Sequence, residues 1–373
     1  MVDEIVHAVD PEGDVVLVLR NPKAPFAVWE CFDWGPEEMP RDPSPEPVGF
    51  GSVDDSQTAQ NGQSDEEPEV KFLLSSRHLI LASRYFSAKL NGTWKEATPH
   101  AIDRRYHLEA SDWDPEALLI LMNVIHGRTR SVPRHVDCEM LAKLAVLIDY
   151  YDCHEVIELF TSMWIDALKN QLPSECSRDL VLWLLIAYVF HRDGIFANVT
   201  KTAVLKGRGL MPTMDLPIPA IVVDLIDRRR QDAIAFILNS LNDLRDSLLR
   251  GYVVKYNESL LQTYVEYNEE CSCMILGALE RAMYREGLLG LSEAYHRHGV
   301  TELETIVRGF EAPSWASSKR SRKWTQTLST MIHGRLNSEF EKNKEGFSLA
   351  EIAMSNVSRC KGGYRNSGED AVD

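Results

Sequence analysis

The sequence predicts an α+β domain over residues 10–170, followed by an all-helical domain over 171–358 and a disordered tail over 359–373. Three observations lead there. Short strand candidates, a β-branched run at 14–20, a second at 70–74 and a briefer one at 106–108, alternate with helical periodicity in the first half. From 178 onward the pattern is nearly all helical. The chain has 373 residues, which exceeds one ordinary core and favours two packed units.

The first strand is the run 14–20, introduced by Pro11, Glu12 and Gly13 and stopped by Asn21 and Pro22. Residues 27–32 read as a second extended piece. Composition then changes: 35–69 carries Pro36, Pro40, Pro43, Pro45, Pro47 and Pro68, together with Asp54, Asp55, Asp65, Glu66, Glu67 and Glu69. Such a segment has too little apolar surface to offset its ordering entropy, so it is expected to be a disordered acidic insertion. Order resumes with the strand 70–74 and one apolar helix over 79–90, ended by Asn91 and Gly92. Asp114 and Pro115 form a helix start, a carboxylate cap followed by proline in the first turn, and that helix stops at Gly127.

Two further helices follow. Residues 138–150 place Leu141, Leu144, Ala145 and Ile148 on one face, and 155–168 do the same with Val156, Leu159, Phe160 and Met163. Pro173 breaks the chain. Helices are expected at 178–191 and 220–250, the latter roughly 45 Å long at about 1.5 Å per residue. Shorter ones are expected at 273–287, 292–298 and 302–310, with a polar connection over 206–219. Two early strands joined as a hairpin, with helices covering one sheet face, make the first half α+β.

Bulk properties exclude several classes. A formal net charge of −16 disfavours non-specific attraction to nucleic acid or anionic membrane. The most apolar run, 180–190, is far short of the roughly 20 residues of a membrane-spanning helix. Seven cysteines, an odd number mostly set in apolar helical patterns, look like reduced core thiols. The acidic start of the chain lacks a signal-peptide layout, so a cytoplasmic or nuclear protein is expected.

One stretch resembles a known family. In Ser75-Ser76-Arg77-His78-Leu79-Ile80-Leu81-Ala82-Ser83-Arg84-Tyr85-Phe86, residues Leu79, Ser83 and Phe86 fill the Leu, Ser and Phe places of the BTB/POZ signature on the helix after the second strand. Asp14 to Leu19 is similar to the family's first strand. His107-Leu108 with Trp113, Asp114, Pro115, Glu116, Ala117 and Leu118 resembles its third strand and the helix behind it. Asn123-Val124-Ile125-His126-Gly127 sits where "YIYTG" usually stands, and 144–153 resembles the next helix and turn. Most members have His at the position of Ser75, His126 replaces a tyrosine, and the acidic insertion is longer than usual. These departures resemble the fungal branch of the family, and the resemblance covers roughly 10–169.

What the resemblance implies is a short mixed sheet covered by helical hairpins. It also implies a protein-interaction module, an adaptor or scaffold that is not an enzyme, needs no cofactor, and binds other proteins. Such partners include a second copy of the chain, with exchange of the strand 15–19, and a cullin-type ubiquitin ligase.

Candidate chemistry is sparse. No Gly-rich phosphate loop occurs, and the eleven histidines are scattered without a catalytic spacing. Cys271, Cys273, His296 and His298 are the one metal-like set, yet CxC and HxH chelate less well than CxxC or HxxxH. They support the alternative reading, a metal-dependent protein or enzyme with its site in the helical half. The ordinary reading is two thiols at a helix start and two surface histidines. Lys319, Arg320, Arg322 and Lys323 form a compact basic cluster, read as a nuclear localisation signal, as a patch for an anionic partner, or as a solvated helix turn or loop. Arg228, Arg229 and Arg230 are expected on the exposed face of the long helix. Ile234, Ile237, Leu241, Leu244 and Leu248 have coiled-coil spacing over only about two heptads, so packing within the chain is favoured.

Overall fold

A computed structural model of the chain describes residues 5–29, 69–92, 97–257, 262–267, 269–289, 298–312, 328–336 and 338–362. The chain is α+β. It divides into two units, one made of 1–26, 32–133 and 147–157, the other of 27–31, 134–146 and 158–373.

The first unit is built on a mixed sheet in which β1 (Ile5–Ala8), β2 (Val15–Arg20), β3 (Val70–Leu74) and β4 (Tyr106–Ser111) lie in the order β1-β3-β2-β4. Strands β2 and β3 are antiparallel, with Val15 opposite Leu74 and Leu19 opposite Val70. The outer pairs, β1 with β3 and β2 with β4, are parallel. Period-two alternation sends Val15, Leu17 and Leu19, and Val70, Phe72 and Leu74, into the core. Gly13 permits the turn into β2, because a side chain there would collide with the carbonyls of Leu74 and Asp10.

Three expectations are corrected here. Strand β1 precedes residue 10 and was not foreseen. Residues 27–29 form no strand, and Ala27 has a left-handed φ of 47°; Glu30, Cys31 and Phe32 lie outside the described residues, as do 35–68 of the acidic insertion. The single helix over 79–90 is two helices, α1 (Ser76–Ala82) and α2 (Arg84–Asn91), separated by the extended residue Ser83.

Helix α3 (Pro115–Ile125) starts as expected, with the Asp114 carboxylate accepting from the N–H groups of Glu116 and Ala117 at 2.9 and 3.0 Å. It ends at Gly127, φ 68°, where Arg128 N–H donates to the Asn123 carbonyl and Gly127 N–H to that of Val124. Helices α4 (Cys138–Tyr151) and α5 (His154–Leu168) follow.

In the second unit, α6 (Arg178–Val189) is the apolar run, buried on nearly every side as a core helix is. Then come α7 (Asp193–Lys206) and the long α8 (Ala220–Leu249). The second half is not all helical: β5 (Tyr252–Asn257) and β6 (Gln262–Tyr267) form an antiparallel hairpin. Enrichment in β-branched and aromatic residues after Gly251, itself at φ 80°, accounts for it. Helices α9 (Glu269–Arg285), α10 (Val300–Arg308), α11 (Leu328–Arg335), α12 (Ser338–Lys342) and α13 (Leu349–Gly362) follow. Residues 292–297, where a helix was expected, lie outside the described residues.

The evenly spaced residues of α8, from Ile234 to Leu248, are buried in one cluster with Leu279, Leu303, Val307, Leu328 and Phe340. The chain's own helices therefore fill this seam. The arginines of α8 depart from expectation: only Arg228 is exposed. Arg229 donates to the carbonyls of Glu345 and Gly346 and lies 3.6 Å over the Phe347 ring. Arg230 is buried, donating to Asp227 at 2.7 Å.

Candidate functional site

The residues that carry the family resemblance converge in the first unit. Leu79 and Phe86 are buried, and Phe86 stacks on Tyr151 at 4.8 Å between ring centroids. The Ser83 hydroxyl accepts from Phe86 N–H at 3.1 Å, capping α2, and donates to the Tyr151 carbonyl. This pair of bonds is what breaks the helix.

Helix α1 is capped from a distance. Ser75 at its N-cap makes no side-chain cap bond; the Asp14 carboxylate at the mouth of β2 instead accepts from Ser76 N–H at 2.7 Å and Ser76 Oγ at 2.6 Å. Burial pulls the Asp14 carboxyl upward, but the bonds from Ser76 prevail and hold it below the usual carboxylate range. Ser75 N–H donates to His126 Nε2 at 2.9 Å, and His126 Nδ1 lies 2.8 Å from the Met122 carbonyl. His78 stacks on His126 at 5.0 Å. The two positions that depart from the family signature, Ser75 and His126, therefore touch each other.

The sheet has an open side. Strand β2, which the long connection could let fold back or pass to a neighbour, lies between β3 and β4 and is paired along both edges within the chain. The two edge positions belong to β1, which pairs with β3 alone, and β4, which pairs with β2 alone among the described strands. Ile5 and Val6 of β1 are 50% and 55% exposed.

Of the metal-like set, Cys271 is buried and Cys273 exposed on α9, so the helix turns the two thiols apart. His298 is not grouped with either among the described residues, and His296 lies outside them. So does the basic cluster at 319–323. Burial raises the Cys138 and Cys153 thiols to about 12, which keeps them protonated and poorly nucleophilic.

One group of ligand-type side chains does converge among the described residues: His100, Asp103 and His107. The turn before β4 brings them together. His100 N–H donates to the Arg105 carbonyl, Arg104 N–H to the His100 carbonyl, and Arg104 takes a left-handed φ of 57°. His107 Nε2 lies 2.8 Å and His100 Nδ1 3.8 Å from the Asp103 carboxylate. Bonds from Arg105 N–H and His107 hold the Asp103 carboxyl below its usual range. His100 and His107 also line a cavity of about 610 Å³ whose wall includes Tyr85, Lys89, Glu109 and Tyr151. The spacing His-x2-Asp-x3-His was present in the sequence, but only the folded-back turn makes it a cluster.

No helix among the described residues is long and apolar enough to cross a membrane. No protein-family model matches the chain, and no curated protein matches it.

Proposed function

We propose that this chain is a protein-interaction module of the BTB/POZ kind, and that its first partner is a second copy of itself, docked along β1. The reading of the family is supported by the order of strands and helices and by the places of Leu79, Ser83 and Phe86. The interaction itself rests on one observation, the open edge of β1 with Ile5 and Val6 in solvent. An edge strand presents a row of backbone donors and acceptors, and β1 carries no charge, proline or bulge of the kind that blunts such edges. A copy of β1 laid beside it would extend the sheet and cover both apolar side chains.

Light scattering on the purified chain over a wide concentration range tests this. The expected result is a mass rising toward twice 42.3 kDa, and a return to the single-chain mass in Val6→Lys, whose charge opposes edge pairing. A mass that stays at 42.3 kDa at tens of micromolar sinks the self-association.

A further inference from the structure

We propose that His100, Asp103 and His107 bind one divalent transition-metal ion of the zinc class. The donor set is two imidazoles and one carboxylate, which suits borderline ions such as Zn²⁺ and gives a hard cation such as Ca²⁺ only one of the several oxygens it requires. One donor atom from each residue lies within 4.8 Å of the other two. Bonds of about 2.0–2.1 Å in a tetrahedron put neighbouring ligand atoms roughly 3.3 Å apart. The Asp103 carboxylate approaches His107 Nε2 at 2.8 Å through Oδ2 and His100 Nδ1 at 3.8 Å through Oδ1, so a turn of the carboxyl group is needed to place one oxygen near both imidazoles. Small side-chain rotations bring all three donors onto one ion.

The turn is closed without the histidines. Asp103 Oδ1 accepts from Arg105 N–H at 3.1 Å, and the backbone bonds between His100, Arg104 and Arg105 complete it. The imidazoles are therefore not needed to hold the turn, and what they add is two ligand atoms at a fixed spacing. All three side chains are reached by solvent, so an ion has an entry path. Three protein ligands leave a fourth position for water or an incoming donor. His100 and His107 belong to the wall of the 610 Å³ cavity, so a bound ion sits on that wall. The site is independent of the β1 edge, and neither proposal stands or falls with the other.

The test is calorimetric titration of the full chain with Zn²⁺, paired with the visible spectrum of the Co²⁺-loaded chain. One equivalent is expected to bind, with Co²⁺ giving four-coordinate d–d bands and no thiolate charge-transfer band from this site. Loss of an outer-shell partner alone costs about 10–100-fold in affinity, so His100→Ala and His107→Ala should each weaken binding by at least roughly tenfold. Asp103→Asn should weaken it as well, while Cys271→Ser leaves it unchanged. Circular dichroism on each variant separates a lost ligand from a lost fold; the exposed His100→Ala is the variant expected to keep the native spectrum. Absence of saturable binding, or equal affinity in the folded His100→Ala variant, overturns the proposal.

Discussion

His126 is held neutral by what surrounds it. Burial lowers its pKa most, the Met122 carbonyl and Asp10 pull the other way, and His78 and Arg128 lower it further, leaving it below the ordinary histidine value. A neutral ring with its proton on Nδ1 donates to Met122 and accepts from Ser75 N–H on Nε2; protonation destroys the second bond. Above about pH 6.5 the folded and unfolded states are both neutral at this residue, and its contribution is fully present. As pH falls below that value the unfolded chain takes up the proton first, so stability is lost until the folded-state pKa is passed. Urea midpoints between pH 8 and pH 5 should therefore fall for the wild type and fall less for His126→Gln; equal slopes would contradict the assignment. A second residue-scale expectation concerns the signature. Phe86→Ala should cost about 3–5 kcal/mol for a fully buried ring. Ser83→Ala should cost about 1–2 kcal/mol for the lost cap. Equilibrium denaturation measures both. The burial of Leu79 and Phe86 was legible in the local pattern. The break at Ser83 was not, because its hydroxyl answers to the carbonyl of Tyr151, 68 residues away, and no local periodicity encodes that partner.

Elements were legible where their signals are self-contained and obscured where a neighbour decides. Helix α3 announced itself through Asp114, Pro115 and Gly127, all of which act within its own ends. Helix α8 did so through length and an unbroken stripe. Strand β1 is only four residues, too short to stand out, and it exists by pairing with β3. The hairpin of β5 and β6 is rich in β-branched and aromatic residues, but two stretches of six residues between long helices were absorbed into a helical reading. The metal-type cluster was hidden for the same reason as β1: three spaced residues become a site only when the turn closes. For α8 the packing makes a direct prediction. Leu241 is buried among side chains of α9, α10 and α11, so Leu241→Ala should cost about 2–5 kcal/mol and leave the solution mass unchanged. Leu249, 61% exposed at the end of the same helix, should tolerate alanine within about 0.5 kcal/mol. A change of mass with little loss of stability in Leu241→Ala would mean that the stripe serves an interface between copies.

At the scale of the whole chain the charge is unevenly held. Residues 35–68 contain nine acidic side chains and one arginine, so this segment carries half of the net −16. It lies within the connection 21–69 between β2 and β3, and those strands already meet where that connection leaves and returns: Leu19 stands opposite Val70, and Arg20 pairs with Glu69 at 3.9 Å. The sheet register therefore does not depend on the length of the connection. Closure entropy changes only as the logarithm of loop length, which makes a shorter link worth about 1 kcal/mol at most in either direction once stiffness is included. Replacing 35–68 with a short Gly/Ser link should then leave the melting midpoint within a few degrees of wild type, about what 1 kcal/mol produces in a chain of this size. The same variant, stripped of eight net negative charges, should leave an anion-exchange column at clearly lower salt. These two readouts separate the two roles open to the segment. Unchanged melting with weaker retention identifies it as a carrier of charge. A fall of ten degrees or more would show that the first unit packs against it, and would overturn the reading drawn from its composition.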